Sequence, residues 1–144
     1  MDLLNDIMNC VSVALDAIYP DCPIFVELVP NNLPKRCFIL DYAGTVDVVR
    51  EMANRWRVSG TIDIKYIAPK RGDVSKKENN AVFLEISLKL RHLTYKELKL
   101  RIDKHQRRDV DDVMHDICDF TIFVYELNST PAMQTLTQRP NITT

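Results

Sequence analysis

Glycine is scarce in this chain, with only three among its 144 residues, at positions 44, 60 and 72. Loops that cradle a phosphate need several glycines close together, so a loop of that kind is not expected here. The sequence also lacks a GxSxG motif, which holds a nucleophilic serine on a strained turn. Neither a nucleotide site nor a serine nucleophile is therefore indicated.

Histidine is sparse as well, and the three histidines, at positions 92, 105 and 115, show no spacing that would build a metal site on one element. His115 lies near Asp111, Asp112 and Asp116, the one acidic and imidazole cluster in the sequence. We interpret it as a solvated loop beside a strand, where nothing would desolvate a carboxylate and raise its pKa toward a catalytic value. We expect no catalytic residue, no metal site and no cofactor. A small hydrolase using His115 stays an alternative.

The four cysteines, at positions 10, 22, 37 and 118, form no CxxC pair, and each lies among apolar neighbours. A free thiol in such surroundings behaves as a small hydrophobic side chain. We predict structural thiols and no metal ligands among them.

Neither charge nor long apolar runs dominate the sequence. The 19 basic and 20 acidic residues give a formal net charge of -1, so bulk charge attracts neither nucleic acid nor an anionic membrane. No apolar run approaches the roughly 20 residues that a bilayer requires, and we expect no membrane partner. Basic pairs such as Lys70-Arg71 and Arg107-Arg108 leave a nucleic-acid-binding module as another alternative, although the aromatic platforms typical of such modules are missing.

The clearest feature that is present is the stretch from Arg55 to Pro69, RWRVSGTIDIKYIAP, which alternates between two residue sets. One set is mostly apolar: Trp56, Val58, Gly60, Ile62, Ile64 and Tyr66. The other set is polar or basic: Arg55, Arg57, Ser59, Thr61, Asp63 and Lys65. This pattern predicts a long strand with one buried and one exposed face. A strand about twice the usual length with a basic outer face favours assembly with other subunits.

Other elements are predicted from periodicity and turn residues. An amphipathic helix spans residues 3–19 and ends before Pro20. Short extended segments follow at 23–29, 37–42 and 45–52, and the last pairs with the long strand through a tight turn at 53–54. Residues 68–80 read as a mobile loop. Residues 81–93 fit both a strand and a helix, and we favour a helix over about 79–93 because Leu, Lys, Glu and Ala predominate.

The remaining third of the chain contains two predicted strands, at 98–103 and 117–125, that pair antiparallel. The polar segment 105–116 is predicted to be the connection between them. We divide the chain into one domain, residues 1–126, and a polar C-terminal extension, 127–144, which has too few large apolar residues to form a core of its own.

The order of these segments resembles the tail terminator, or tail completion, proteins of tailed phages, prophages and phage-tail-like particles of Gram-positive bacteria. The resemblance covers residues 3–126 and depends most on the strand NRWRVSGTIDIKYIAPK, with the segments YPDCPIFVE, PKRCFILDY and DICDFTIFVYE around it. The residues that carry the strand pattern are Arg55, Trp56, Arg57, Asp63, Tyr66 and Pro69.

The resemblance implies an α+β fold, in which a twisted mixed or antiparallel β-sheet packs against the N-terminal helix and the second helix at about 79–93. It implies a noncatalytic hexameric ring that caps the tail tube, stops its polymerisation and offers a surface to head-completion, connector or sheath proteins. DNA would be only passing cargo, and the protein would reside in the virion tail after assembly in the host cytoplasm. The implied subunit-interface candidates are Arg55, Arg57, Lys65, Lys70 and Arg71. A head-to-tail connector or another tail-tube-like ring protein stays an alternative.

Overall fold

A computed structural model describes residues 2–69 and 73–125 of the chain. These residues form two helices and six strands in the following order: α1 (Leu3–Ile18), β1 (Ile24–Val26), β2 (Cys37–Met52), β3 (Arg55–Ile67), α2 (Asp73–Lys89), β4 (His92–Tyr95), β5 (Leu98–Val110) and β6 (Val113–Tyr125). The strands make one sheet in the order β1-β2-β3-β6-β5-β4. All neighbouring strands are antiparallel except β1 and β2, which are parallel. The predicted α+β class with a mixed sheet against helices is confirmed.

Both helices pack on the same face of the sheet, which we call the inner face. Their buried side chains join those of the sheet in one hydrophobic core, because apolar residues recur at three- and four-residue steps on α1 and at alternate positions on the strands. The largest fully buried members from the sheet are Tyr66, Phe38, Phe120, Leu40, Ile62, Ile64 and Leu100. Helix α1 ends one residue short of the predicted boundary, and the Tyr19 amide still bonds to the Leu15 carbonyl at 2.8 Å.

Strand β2 unites the predicted segments 37–42 and 45–52, which were expected to be separate strands. A bulge lies between Ala43 and Asp47, where the register with β3 shifts and Gly44 has φ of 72°. Glycine adopts this left-handed geometry without a Cβ clash, so the strand bends there without ending. The predicted hairpin between β2 and β3, turning at residues 53–54, is confirmed.

The second helix is displaced from its predicted position at about 79–93. It spans Asp73–Lys89, and Leu93 lies on β4, so the predicted loop at 68–80 is mostly wrong as well. The buried side of α2 begins with Ser75 and Asn79 and continues with Val82 and Ile86. Since its first two turns bury polar side chains, hydrophobic periodicity gives no signal for them.

The predicted connection at 105–116 is also wrong, because β5 and β6 form a continuous hairpin through it. Asp111 and Asp112 make the turn, with φ of 51° and 64°, and strand pairing resumes at Val110 and Val113. Two successive residues in the left-handed region are typical of a tight hairpin turn, which Asn and Asp tolerate. The strands there carry polar residues on both faces, so they lacked the alternation that identifies a strand.

All four cysteines are buried and free, and the described residues contain no disulfide. Burial raises the pKa of the Cys10 thiol to about 11. Across residues 2–69 and 73–125, neither helix has the length and apolar character needed to cross a membrane.

Candidate subunit interface

The outer face of the sheet, opposite the helices, carries the polar residues predicted from the alternation of β3. Val58, Ile62, Ile64 and Tyr66 are buried on the inner face, whereas the predicted polar set from Arg55 to Lys65 is half-buried on the outer face. Both described helices contribute to the core on the inner face. At the Lys65 end of the outer face a second, smaller buried cluster is formed by Cys37, Ile39 and Ile67, with Phe25 and Val113 packed against it. The two-faced character of this strand is therefore as predicted.

Arg55 and Arg57 share one carboxylate on the outer face. The Arg55 guanidinium lies 2.8 Å from Glu51 Oε1, and Arg57 Nη1 lies 3.0 Å from Glu51 Oε2. Arg55 also stacks over the Phe123 ring at 4.1 Å from its centroid. Two guanidinium groups on one carboxylate leave net positive charge in a fixed position on this face.

Lys65 does not belong to this arginine pair. It lies ten positions along β3 from Arg55, a distance of about 33 Å at the usual rise of a strand, and it pairs in register with Ile39 and His115. Lys70 and Arg71 lie outside the described residues. Of the five predicted interface residues, the structure thus brings Arg55 and Arg57 together and separates Lys65 from them.

Hydrogen bonds between strands order the outer face. Thr61 donates to Asp119 Oδ1 at 3.0 Å, and Thr121 donates to Asp103 Oδ2 at 2.7 Å. The Nδ1 atom of His115 lies 3.0 Å from both carboxylate oxygens of Asp63. These pairs satisfy polar groups across neighbouring strands of the outer face.

The residues of the acidic cluster around His115 lie at different places on the sheet. His115 is half-buried on the outer face, whereas Asp116 is fully buried on the inner face, and Asp111 and Asp112 are exposed at the hairpin turn. The prediction of a solvated loop here is wrong, because alternate residues of a strand point to opposite faces. These four residues cannot converge on one substrate.

Sequence reasoning missed an unpaired strand edge on β2. Strand β1 pairs only with Phe38–Leu40, so residues 41–52, here called the β2 edge, have no partner on that side within the described residues. Val48, Val49 and Met52 are 60%, 41% and 64% exposed there. An exposed apolar edge is a template for pairing with another strand. The sequence pattern that could have predicted this edge is the alternation of polar and apolar residues in TVDVV, residues 45–49.

A second unpaired edge lies at the other side of the sheet. Strand β4 pairs with β5 only as far as Arg101, so residues 104–110, the β5 edge, have no outer partner among the described strands. Lys104, Gln106 and Arg108 pair with outward residues of β6 and therefore project from the outer face. No apolar alternation marked this segment in the sequence.

An apolar groove lies where α1 begins, next to the β2–β3 hairpin. One part encloses about 320 Å³ and is lined by Leu3, Leu4, Val46, Val48, Trp56, Val58 and Val124. A second part of about 530 Å³ shares Leu3 and Val124 and adds Leu98, Ile122, Phe123 and Tyr125. Contiguous exposed apolar surface is typical of protein-binding sites.

The sequence profile of the family described as phage tail terminator protein matches residues 6–132. The chain belongs to the phage tail terminator family. Members of this family are structural, nonenzymatic proteins of the virion tail and interact with other tail proteins. No curated protein matches the sequence significantly. A solved structure of another protein aligns with 87% of this chain and 94% of its own length at 12% identity and a TM-score of 0.46.

Proposed function

We propose that this tail terminator caps the end of the tail tube as a closed hexameric ring, stops tube polymerisation and provides the head-joining surface. The protein acts in this proposal by binding and not by catalysis. The observation that carries the proposal is the pair of unpaired edges on one sheet, because a ring needs two different surfaces on every subunit.

The directions of the strands support pairing of these edges between subunits. Successive antiparallel pairings from β2 through β3 and β6 to β5 make β2 and β5 run in opposite directions. The β5 edge of one copy can therefore add antiparallel to the β2 edge of the next while both outer faces stay on one side. Repetition of one such contact gives a ring when the rotation between subunits closes and an open filament when it does not, and the proposal requires closure.

The two edges lie diagonally across the sheet. The β2 edge faces the Arg55 half of β3, whereas the β5 edge pairs with residues 113–119 of β6, next to the Lys65 half of β3. Pairing them offsets each subunit along the strands, which is the stagger that a closed, tilted sheet requires. The geometry therefore favours a closed ring.

Charge on the outer face supports the same pairing. Asp41 and Asp47 lie on the outward side of the β2 edge, and Lys104 and Arg108 lie on the outward side of the β5 edge. Opposite charges across a contact suppress wrong registers and wrong partners. Arg55, Arg57 and Lys65 then line the lumen or a neighbouring subunit, and DNA is passing cargo.

The apolar groove gives the ring a separate surface, which we assign to the tail tube protein. Connector, head-completion or sheath proteins then bind the opposite end of the ring. The domain division at residue 126, and ordering of the 127–144 extension on assembly, are part of the same proposal and concern residues outside those described.

Tube length tests this function. The purified chain is added to polymerising tube subunits, and tube lengths are measured by electron microscopy. The proposal predicts shorter tubes with the protein at one end only, at substoichiometric amounts. Unchanged tube lengths, or binding along the tube wall, would contradict termination and favour a connector or a different tail component.

A further inference from the structure

Three metal-ligating side chains converge on the inner face of the sheet, at the junction between α2 and β4. Asp116 and Cys118 are two residues apart on β6 and therefore share a face, and His105 on β5 lies directly opposite Cys118. Strand register alone brings the three together, since opposed residues on neighbouring strands have Cβ atoms about 5 Å apart.

The ligand atoms of this His105–Asp116–Cys118 cluster lie in mutual contact. The His105 Nδ1 atom is 2.7 Å from Asp116 Oδ2 and 3.3 Å from Cys118 Sγ. One ligand atom from each residue lies within 4.8 Å of the others. Asp116 is 0% and Cys118 1% exposed, so the cluster is closed to solvent.

One atom of the cluster is unsatisfied. Asp116 Oδ1 is buried and accepts no hydrogen bond from the residues that the structure describes. Buried carboxylate oxygens are normally paired, because leaving one without a donor costs free energy. An additional group bound at this atom would remove that cost.

We propose that His105, Asp116 and Cys118 bind a divalent metal ion of the zinc class. The donor atoms are His105 Nδ1, Cys118 Sγ and both carboxylate oxygens of Asp116, so Oδ1 gains a partner. Imidazole, thiolate and carboxylate together form a set that suits zinc. The opposite ring atom, His105 Nε2, donates to the Leu90 carbonyl oxygen at 2.7 Å, the orientation that ligating histidines usually have.

Binding of the ion releases protons from its ligands. Both ring nitrogens of His105 face oxygen acceptors, Asp116 Oδ2 and the Leu90 carbonyl, and the Cys118 thiol donates to the Asp116 carbonyl oxygen, so Nδ1 and Sγ each carry a proton before the ion binds. One proton therefore leaves Nδ1 and one leaves Sγ for each ion bound. The Nδ1 and Oδ2 atoms, now 2.7 Å apart, also move apart so that both can bind the same ion.

Cobalt titration tests the site in the full-length chain, refolded with Co²⁺ so that the buried ligands are accessible. We expect one Co²⁺ per chain, a thiolate-to-metal charge-transfer band, and displacement of the band by Zn²⁺. Cys118→Ala is expected to lose the band, whereas the matched core variant Cys10→Ala keeps it. Asp116→Asn, which preserves the side-chain shape, is expected to weaken Co²⁺ binding at least about tenfold.

A measurement on the unaltered chain does not depend on the folding of any variant. Refolding with Zn²⁺ is expected to raise Tm above that of protein refolded with a chelator, because the ion binds only the folded state strongly. No charge-transfer band together with an unchanged Tm would overturn the proposal. Equal loss of the band in Cys10→Ala and Cys118→Ala would overturn it as well.

Discussion

Gly60 lies against the ring of Phe120, its register partner on β6. A Cβ atom at position 60 would come within 3.1 Å of Phe120 Cε1 and 3.2 Å of the Thr45 carbonyl oxygen. The Phe120 ring is 1% exposed and also packs on Tyr42, with centroids 6.0 Å apart. Glycine at this position therefore accommodates a buried aromatic ring beside the β2 bulge.

Replacing Gly60 with valine is expected to destabilise the fold. The added side chain must displace a buried ring and a backbone carbonyl, which costs about 1–3 kcal/mol by analogy with overpacked cores. Urea unfolding measures the change in free energy, with Ser59→Val on the outer face as the control. Equal stability of the two variants would show that the Phe120 ring can move aside without lowering the free energy of unfolding.

The Tyr66 hydroxyl connects two parts of the chain. It accepts a hydrogen bond from Arg36 Nε at 2.7 Å and donates one to Glu78 on α2. Because Tyr66 is fully buried, Tyr66→Phe is expected to lower the free energy of unfolding by about 1–2 kcal/mol. The control is Tyr95→Phe, since within the described residues the Tyr95 hydroxyl makes no hydrogen bond; similar losses in both would contradict the assigned role.

The Glu85 carboxylate makes the stability of the fold depend on pH. The hydrogen bond from Tyr19, followed by that from Lys89, holds the pKa of Glu85 below its ordinary value. A lowered carboxyl pKa contributes stability above the unfolded value of about 4.3, and this contribution is lost as pH falls through the folded pKa. The urea midpoint of Glu85→Gln is therefore expected to be lower than that of the unaltered chain at pH 7 and to approach it in acid. A midpoint difference that stays constant with pH would exclude this charge effect.

Substitution of Val49 tests whether the β2 edge pairs with another subunit, and tube length is the readout. A lysine on an edge strand opposes pairing with another strand, so Val49→Lys is expected to fold normally yet fail to shorten tubes. Val13→Lys is the matched control, because Val13 is an exposed valine on helix α1 and not on an edge strand. Tubes shortened equally by both variants would remove the β2 edge from the proposed contact.

Sequence patterns predicted the elements whose residues alternate between core and solvent. Helix α1 and strand β3 are correct nearly to the residue, because each has one fully buried stripe. The first turns of α2 were missed because Ser75 and Asn79 occupy its buried side, and hydrophobic periodicity does not register polar residues.

The candidate site was predictable only in part, because strand edges are a property of the whole sheet. Arg55 and Arg57 are on the outer face as predicted, but their shared partner Glu51 depends on the β2–β3 register. The β5 edge could not be identified, since residues 104–110 are polar on both faces and no local pattern shows which strand lies beside them. Sequence patterns could not identify the His105–Asp116–Cys118 cluster for the same reason, since its members meet only across neighbouring strands.

Disulfide cross-linking between subunits tests the edge-to-edge ring most directly. Asp47→Cys is combined in turn with Lys104→Cys, Gln106→Cys and Arg108→Cys, and each chain is oxidised after incubation with tube subunits. The native cysteines are buried, so background cross-linking is low. The account predicts that at least one pair gives a ladder of covalent oligomers ending at a hexamer. Capped tubes with no cross-link at any of the three positions would contradict it.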